Sequence, residues 1–507
     1  MNLLIWPVLL PLLSASILLL VRSRVVRTTT SVIGAVVTLI VILAIASRTR
    51  TGEVLTLTLA DWSAPYGIIL VADSLTGLVL TLSGIVGLLT VLFLAVSLRD
   101  SPRRGTGSLL NRAREIFGAQ ALLQFVFVGV NMSFLTGDLF NLFVSFEVML
   151  VASYGLLLLG GELPQLREGL KYVVVNLIAS ALFVVAAGMA YGLFGTLNMA
   201  DIAIRIEAHG TDPRIGLIAL LLGLVFATKA AIFPLGFWLP NAYPVPTATV
   251  SAFFAALLTK VGAYSLIRTF WLMFPHERDV QLMVLLFAGL TVVIGAFGAI
   301  VRRRWRHVLA FANVASIGYV VMGAFIGSVV GLSAAIYYLT HSVIVVFGLF
   351  LVAALAERIA GESYQSEGHL EVYPWLGVGF FVAAISLVGA PPTSGFIGKF
   401  GIVRALFEAG GSLRIFVAIA ALLAGFLLLY AFMQIWRKFF WGSADAVHRV
   451  KLSKIATGIT GITVILIVAL AVFSGPIFSA SEKVAEQLSN NHAYLEAVFP
   501  SAPMEGP

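Results

Sequence analysis

Leu139–Leu159 reads LFNLFVSFEVMLVASYGLLLL, 21 residues with a single charge, Glu147, in their middle. The hydrocarbon core of a bilayer is about 30 Å thick and is crossed by roughly 20 helical residues, so the run is long enough to span it. A carboxylate at mid-depth is costly. Ionisable groups there usually face a protein interior and mark an ion pathway. Three lysines repeat the anomaly: Lys229 in LLLGLVFATKAAIFPL, Lys260 in SAFFAALLTKVGAYSL and Lys399 in TSGFIGKFGIV. His341 lies in AAIYYLTHSVIVVFGLF. Five ionisable residues on five separate apolar segments read as a proton path.

The composition agrees with a membrane solvent. Of 507 residues 60% are hydrophobic and 11% charged, and the mean hydropathy is +1.02. That is more apolar surface than a soluble domain can hide, which makes this an all-α polytopic membrane protein. The net charge of +8 does not imply nucleic acid, because Arg and Lys cluster in short loops between apolar segments, where they set topology. The run Arg302–Arg306 is of this kind, with contact to anionic lipid as its further use. Cysteine is absent, which removes disulfides, thiolate metal sites and cysteine nucleophiles. The first span has no basic residue ahead of it and reads as a retained helix rather than a cleaved signal peptide.

Fourteen apolar segments are expected as spans: 2–21, 28–46, 73–97, 117–136, 138–160, 171–195, 215–235, 247–271, 280–300, 308–328, 331–356, 375–401, 412–436 and 455–478. Twenty of the 32 Lys and Arg fall in loops after odd-numbered spans, and nine after even-numbered spans or in the tail. The positive-inside rule then places the odd loops in the cytoplasm and both termini outside. Between spans 2 and 3, VLTLTLA alternates apolar and polar residues before WSAPYG turns, so a small β-hairpin is expected near 53–73 on the outer face. The end of the chain, after Ser479, reads as a short amphipathic segment and a loose tail.

Spans 7 and 12 share a broken design. Lys229 is followed by Pro234, Pro240, Pro244 and Pro246, and Lys399 is preceded by Pro391, Pro392 and Gly395. Proline removes a donor and breaks the helix, and freed carbonyls at membrane depth are tolerated only inside protein or along a wet cavity. Tyr172 and Asn176 recur 165 residues later as Tyr337 and His341, and Pro234 recurs as Pro392 after 158. Two five-helix repeats follow, spans 4–8 (117–271) and spans 9–13 (280–440). Residues 1–116 hold spans 1–3, and 441–507 hold span 14 and an extracytoplasmic tail. Five is odd, so the repeats insert with opposite topology, the inverted-repeat plan of many transporters.

A buried lysine can trade a proton at moderate cost, because desolvation disfavours its charged form and a nearby carboxylate restores it. If Glu147 approaches Lys229, the two form a switch. Neutral His341 can bridge Lys260 and Lys399 through water. Bland readings compete: a structural ion pair for Glu147 and Lys229, a hydrogen-bonded core histidine for His341, and snorkelling to an interface for Lys260 and Lys399. Asp138 reads as a helix N-cap. No P-loop, dinucleotide fingerprint, haem or iron–sulfur pattern occurs, so neither a cofactor nor a metal is expected, and no enzyme activity.

Four stretches resemble one family: GDLFNLFVSFEVMLVASYGLL (137–157), TKAAIFPLGFWLPNAYPVPTATVSAFFAALLTKVGAYSLIR (228–268), RHVLAFANVASIGYVVMG (306–323) and GAPPTSGFIGKF (389–400). They are similar to the antiporter-like subunits shared by respiratory complex I and the multisubunit Mrp-type Na⁺/H⁺ antiporters. The resemblance implies fourteen helices, inverted repeats and a midplane row whose glutamate matches Glu147, whose lysines match Lys229, Lys260 and Lys399, and whose histidine matches His341. Phe146 stands where complex I members tend to carry Trp, and Gly236 and Tyr243 where they tend to carry His. These departures favour the Mrp branch, and the length favours its D-type subunits. Asn241 departs from an acidic residue or serine common at that position. The resemblance further implies a hetero-oligomeric complex in a bacterial or archaeal plasma membrane, with Na⁺ handled by a neighbouring subunit. The competing expectation is a proton-pumping subunit of a complex I-like or hydrogenase-linked oxidoreductase.

Overall fold

The computed structural model describes residues 3–100, 109–210, 212–360, 373–441 and 452–500. The chain runs through α1 (Trp6–Leu20), α2 (Arg24–Thr49), β1 (Leu55–Thr58), β2 (Ile69–Ala72), α3 (Ser74–Asp100), α4 (Leu109–Leu135), α5 (Leu139–Leu158) and α6 (Leu163–Phe194). It continues with α7 (Met199–His209), α8 (Pro213–Lys229), α9 (Leu239–Ala242), α10 (Ala248–Phe253), α11 (Thr259–Leu272), α12 (Arg278–Val301), α13 (Trp305–Ala324) and α14 (Val329–Ala360). It ends with α15 (Pro374–Val388), α16 (Ser394–Ala409), α17 (Ser412–Phe439), α18 (Lys454–Val472), α19 (Ser474–Ser489) and α20 (His492–Val498).

Among the described residues, 12 helical segments are long and apolar enough to cross a membrane. The protein is a polytopic helical membrane protein, as every spanning backbone group must be satisfied within its own segment. Fourteen such segments were expected, and the two that fall short are the seventh and the twelfth. The seventh ends at Lys229 after 17 residues. The twelfth is divided into α15, 15 residues, and α16, 16 residues. At 1.5 Å per residue none of the three reaches the roughly 30 Å of a hydrocarbon core.

The interior is built around two segments whose apolar windows are entirely buried: Ala248–Leu272, formed by α10, one π-helical turn (Phe254–Leu258) and α11, and Val329–Ile359 of α14. Both are buried on every side and mostly apolar, the pattern of a helix enclosed by others. α14 packs against α10, α13, α15, α16, α18 and α19, and α11 packs against α8 and α13. The hairpin is present: β1 and β2 pair antiparallel with Leu55 opposite Ala72. α4 and α5 are separate helices, and Asp138 caps α5 by accepting from the Asn141 backbone N–H at 2.8 Å.

Two expectations need correction. Arg268, one of the nine cations counted after even-numbered spans although it falls inside the expected span 247–271, belongs to no loop. It lies in α11, buried, in a two-pronged ion pair with Asp73 at 2.7 and 2.6 Å. Asp73 also caps α3 through the Thr76 N–H at 2.9 Å, and the Arg268 guanidinium lies 5.2 Å from the Tyr494 ring centre. The end of the chain is therefore not loose up to residue 500. The last expected span stops at Val472, and α19 packs chiefly against α14 and buries Val484, Ala485 and Leu488. α20 brings Tyr494 onto Arg268. α7, a short amphipathic helix capped by Asn198, was not anticipated. The loop cations Arg103, Arg104, Arg449 and Lys451, and the side chains of Arg99, Arg112 and Arg114, lie outside the described residues.

Candidate functional site

Glu147 sits half-buried on α5, one position after fully buried Phe146. Its carboxylate accepts a short hydrogen bond from Ser180 of α6. The Ser180 hydroxyl oxygen in turn accepts from Lys229 Nζ at 3.3 Å. Glu147 and Lys229 are thus brought together across one hydroxyl and not in direct ion-pair contact. The ammonium also lies 4.8 Å from the centre of the Phe146 ring, a favourable place for a cation excluded from water.

Lys229 is the last residue of α8, where the free carbonyl end of a helix favours a cation. The chain then turns through Ala231, whose φ of +59° lies in the left-handed region that alanine rarely adopts. The interrupted backbone finds partners: Trp238 Nε1 donates to the Thr228 carbonyl at 3.2 Å, and the Phe233 N–H donates to Thr291 Oγ1 at 2.8 Å. Gly262 of α11 is the residue that lets two helices meet here. A Cβ on it would stand 2.5 Å from the Ala230 nitrogen.

Lys260 lies two residues beyond the π-helical turn, after Thr259. Its Nζ donates to the Ala255 carbonyl at 2.7 Å and to Asn313 Oδ1 of α13 at 2.6 Å. One turn along α13, Ser316 shares a hydrogen bond of 2.7 Å with Ser342, the neighbour of His341 on α14.

His341 Nδ1 is 2.9 Å from Ser394 Oγ, at the start of α16, and its ring stacks on Tyr338 at 5.1 Å. Lys399 reaches back across the break between α15 and α16 and donates to the Val388 carbonyl at 2.9 Å. Its Nζ lies 4.3 Å from the centre of the Tyr319 ring. Gly395 is required by contact: a Cβ there would stand 1.8 Å from the Ser386 carbonyl oxygen and 3.0 Å from His341 Nε2. Pro391 and Pro392 occupy the turn between the two short helices.

Lys260 is 2% exposed and Lys399 8%, which removes snorkelling as a reading for either. Sequence reasoning placed the ionisable residues but missed the polar side chains that hold them: Ser180, Asn313 and Ser394. A hydroxyl or amide in an apolar span carries little signal alone. These three join segments 33, 53 and 53 residues apart in the chain. Among the described residues, no group of three or more His, Asp or Glu converges to hold a metal.

The fold and this row of enclosed amines, imidazole and carboxylate define a polytopic membrane protein with an ionisable interior. The chain belongs to the NADH:quinone oxidoreductase/Mrp antiporter transmembrane family, which residues 136–427 match. Over 506 residues it is 38% identical to the D-type subunit of the Na⁺/H⁺ antiporter of Alkalihalophilus pseudofirmus, covering 98% of this chain and 99% of that protein. It is 37% identical to the D-type subunit of the Na⁺/H⁺ antiporter of Bacillus subtilis, with the same coverage. A chain in the structure of the Mrp complex from Dietzia sp. DQ12-45-1b superposes with a TM-score of 0.88 at 28% identity, covering 98% of this chain and 99% of that one.

Proposed function

We propose that this chain is the proton-conducting, D-type subunit of a heteromeric Na⁺/H⁺ antiporter in a bacterial or archaeal plasma membrane. Protons moving down their gradient drive the exchange, and Na⁺ crosses through a neighbouring subunit. Glu147, Lys229, Lys260, His341 and Lys399 relay the protons, and the chain catalyses no bond chemistry. The observation that carries this reading is the Glu147–Ser180–Lys229 bridge. A carboxylate and an amine share one hydroxyl at the end of a helix cut short inside an apolar protein. A proton can pass from the amine through the hydroxyl to the carboxylate, which leaves both groups neutral, since the hydroxyl both donates and accepts. Full-length similarity to subunits named for Na⁺/H⁺ antiport supports the choice of ions.

The reading extends to the architecture. Fourteen crossings are proposed, with the seventh and twelfth broken, at Pro234 and at Pro391, Pro392 and Gly395. Residues 117–271 and 280–440 form repeats of opposite topology, 1–116 and 441–507 flank them, and both termini lie outside. In support, each short helix end gives a carbonyl-rich terminus to one lysine, Lys229 at α8 and Lys399 at α15.

A second reading, a proton-pumping subunit of a redox complex, is kept alive by the family's inclusion of NADH:quinone oxidoreductases. One experiment separates them. The complex is purified from its native membrane in mild detergent, its subunits identified, flavin and iron assayed, and the complex reconstituted for Na⁺-dependent dissipation of ΔpH. Several small hydrophobic partners without flavin or iron, together with Na⁺-dependent dissipation, are expected. Co-purifying flavin and iron without Na⁺ dependence overturns the antiporter reading.

A further inference from the structure

α1 and α2 form a hairpin at the edge of the bundle, and only 39% and 22% of their apolar windows are buried. The two helices touch at Gly34, where a Cβ would stand 2.2 Å from Ser14 Oγ. Buried Arg27 ties α2 to the end of α1 by donating to the Leu18 and Val21 carbonyls. Beside these contacts the hairpin leaves a groove of about 430 Å³, lined by residues of the stretches 10–17 in α1 and 25–37 in α2. At 1.5 Å per residue those walls run about 10 and 18 Å, which gives the groove a mean cross-section of about 25–40 Å². A helix with its side chains is about 10–12 Å across, or about 80–110 Å². The slot is too narrow for a helix of another subunit and suits one extended hydrocarbon chain.

Inside a bilayer an apolar groove gains nothing from hydrophobicity, because lipid tails are as apolar as its walls. Whatever holds one lipid in preference to others has to be polar. The turn at the mouth of the groove carries Arg22 and Arg24, both exposed and without a carboxylate partner among the described residues. Further along α2, Thr29 and Thr30 line the groove, and their hydroxyls have no hydrogen-bond partner among the described residues. A hydroxyl left facing hydrocarbon is unfavourable. We propose that the groove between α1 and α2 binds one anionic phospholipid: its phosphate lies against Arg22 and Arg24, its ester carbonyls accept from Thr29 and Thr30, and one acyl chain fills the slot. The order of groups matches. A phospholipid carries charge, ester and tail in that sequence, and the hairpin presents guanidinium, hydroxyl and apolar wall in the same sequence from the turn inward. The proposed topology turns this mouth toward the cytoplasm, where basic residues next to a span meet anionic headgroups. The site is independent of the proton relay.

The test uses the whole complex, delipidated in detergent and titrated with phosphatidylglycerol or phosphatidylcholine, with bound lipids counted by native mass spectrometry. The native complex is expected to bind phosphatidylglycerol saturably and in preference to phosphatidylcholine. Val26→Trp fills the groove from an exposed position and is expected to bind one phosphatidylglycerol fewer. Arg22→Gln with Arg24→Gln is expected to weaken that same lipid about tenfold or more, at about fivefold per cation. Arg167→Gln with Arg437→Gln removes two exposed cations from other loops and is expected to leave that lipid bound. Subunit recovery and thermal melting show that each complex is assembled. No saturable lipid in the native complex, or a full lipid count in assembled Val26→Trp, overturns the site. So does native affinity in the Arg22→Gln, Arg24→Gln complex, or an equal loss from both arginine pairs, which means attraction to surface charge in general. Loss of a neighbouring subunit from Val26→Trp with no change in lipid count assigns the groove to a protein partner and overturns the lipid site.

Discussion

The surroundings of Lys229 and Lys399 solve one problem in two ways. Each lysine is enclosed next to a helix that ends inside the protein, and each ammonium lies against an aromatic ring, Phe146 in one case and Tyr319 in the other. The difference is in what balances the charge. Lys229 has a carboxylate one hydroxyl away, on a half-buried residue near the outside of the bundle. Among the described residues, Lys399 has only a backbone carbonyl and ring faces, with a histidine held by Ser394 beside the same break. The first arrangement can change by separating two opposite charges. The second has no partner to separate from and can change only by moving a proton. On the proposed relay, the first region would act as a switch and the second as a carrier.

The sharpest way to break this comparison is at the glycines that permit it. Gly395→Ala puts a Cβ 1.8 Å from the Ser386 carbonyl oxygen, which is backbone and cannot swing away. Loss of the assembled complex, or severe loss of its thermal stability, is expected on purification. Gly262→Ala beside Lys229 meets the Ala230 nitrogen at 2.5 Å and is expected to be milder. Next comes the buried pair of Asp73 and Arg268. Asp73→Ala strands a guanidinium and is expected to cost about 3–5 kcal/mol of stability, read as a lower melting temperature. Because the pair lies apart from both lysines, residual assembled complex should keep its ion specificity.

Ser180→Ala and Ser394→Ala test the two regions in parallel. The first removes a hydroxyl bonded to a carboxylate and an ammonium, an interaction of about 1.5–3 kcal/mol, and is expected to lower flux about tenfold or more. The second removes a neutral bond of about 0.5–1.5 kcal/mol and is expected to lower flux less, about two- to tenfold. Equal losses would erase the distinction between switch and carrier. The smallest effect is expected outside the spans. Hydrogen bonds from Arg214 pull the Asp212 carboxyl down to about 2, and Asp212 caps α8 through the Arg214 N–H at 2.8 Å. A carboxyl depressed on folding stabilises above its unfolded value near 4 and loses that contribution as pH falls toward 2. Asp212→Asn, which keeps the cap, should leave flux unchanged at neutral pH and should flatten the acid limb of the melting curve.

Much of this was legible in the sequence because membranes make charge conspicuous. Glu147, Lys229, Lys260, His341 and Lys399 stand out against apolar runs, and the prolines after Lys229 and before Lys399 coincide with the helices that prove too short to span. The hairpin was legible from its alternation and turn. What escaped was whatever depends on two distant segments meeting. Arg268 looks like a loop cation until Asp73, 195 residues away, is seen against it. Ser180, Asn313 and Ser394 are ordinary residues in their own segments and gain meaning only from the amine, carboxylate or imidazole they face. The docking of α19 was hidden because an amphipathic end of chain reads the same whether it lies on a membrane surface or on α14.

The central claim is that Glu147 and Lys229 move protons and do not merely hold α5, α6 and α8 together. The direct measurement is Na⁺-dependent proton flux in vesicles containing complexes purified with Glu147→Ala or Lys229→Ala, each checked for full subunit recovery. The account predicts assembled complexes with no flux. Native flux from either assembled variant would contradict it.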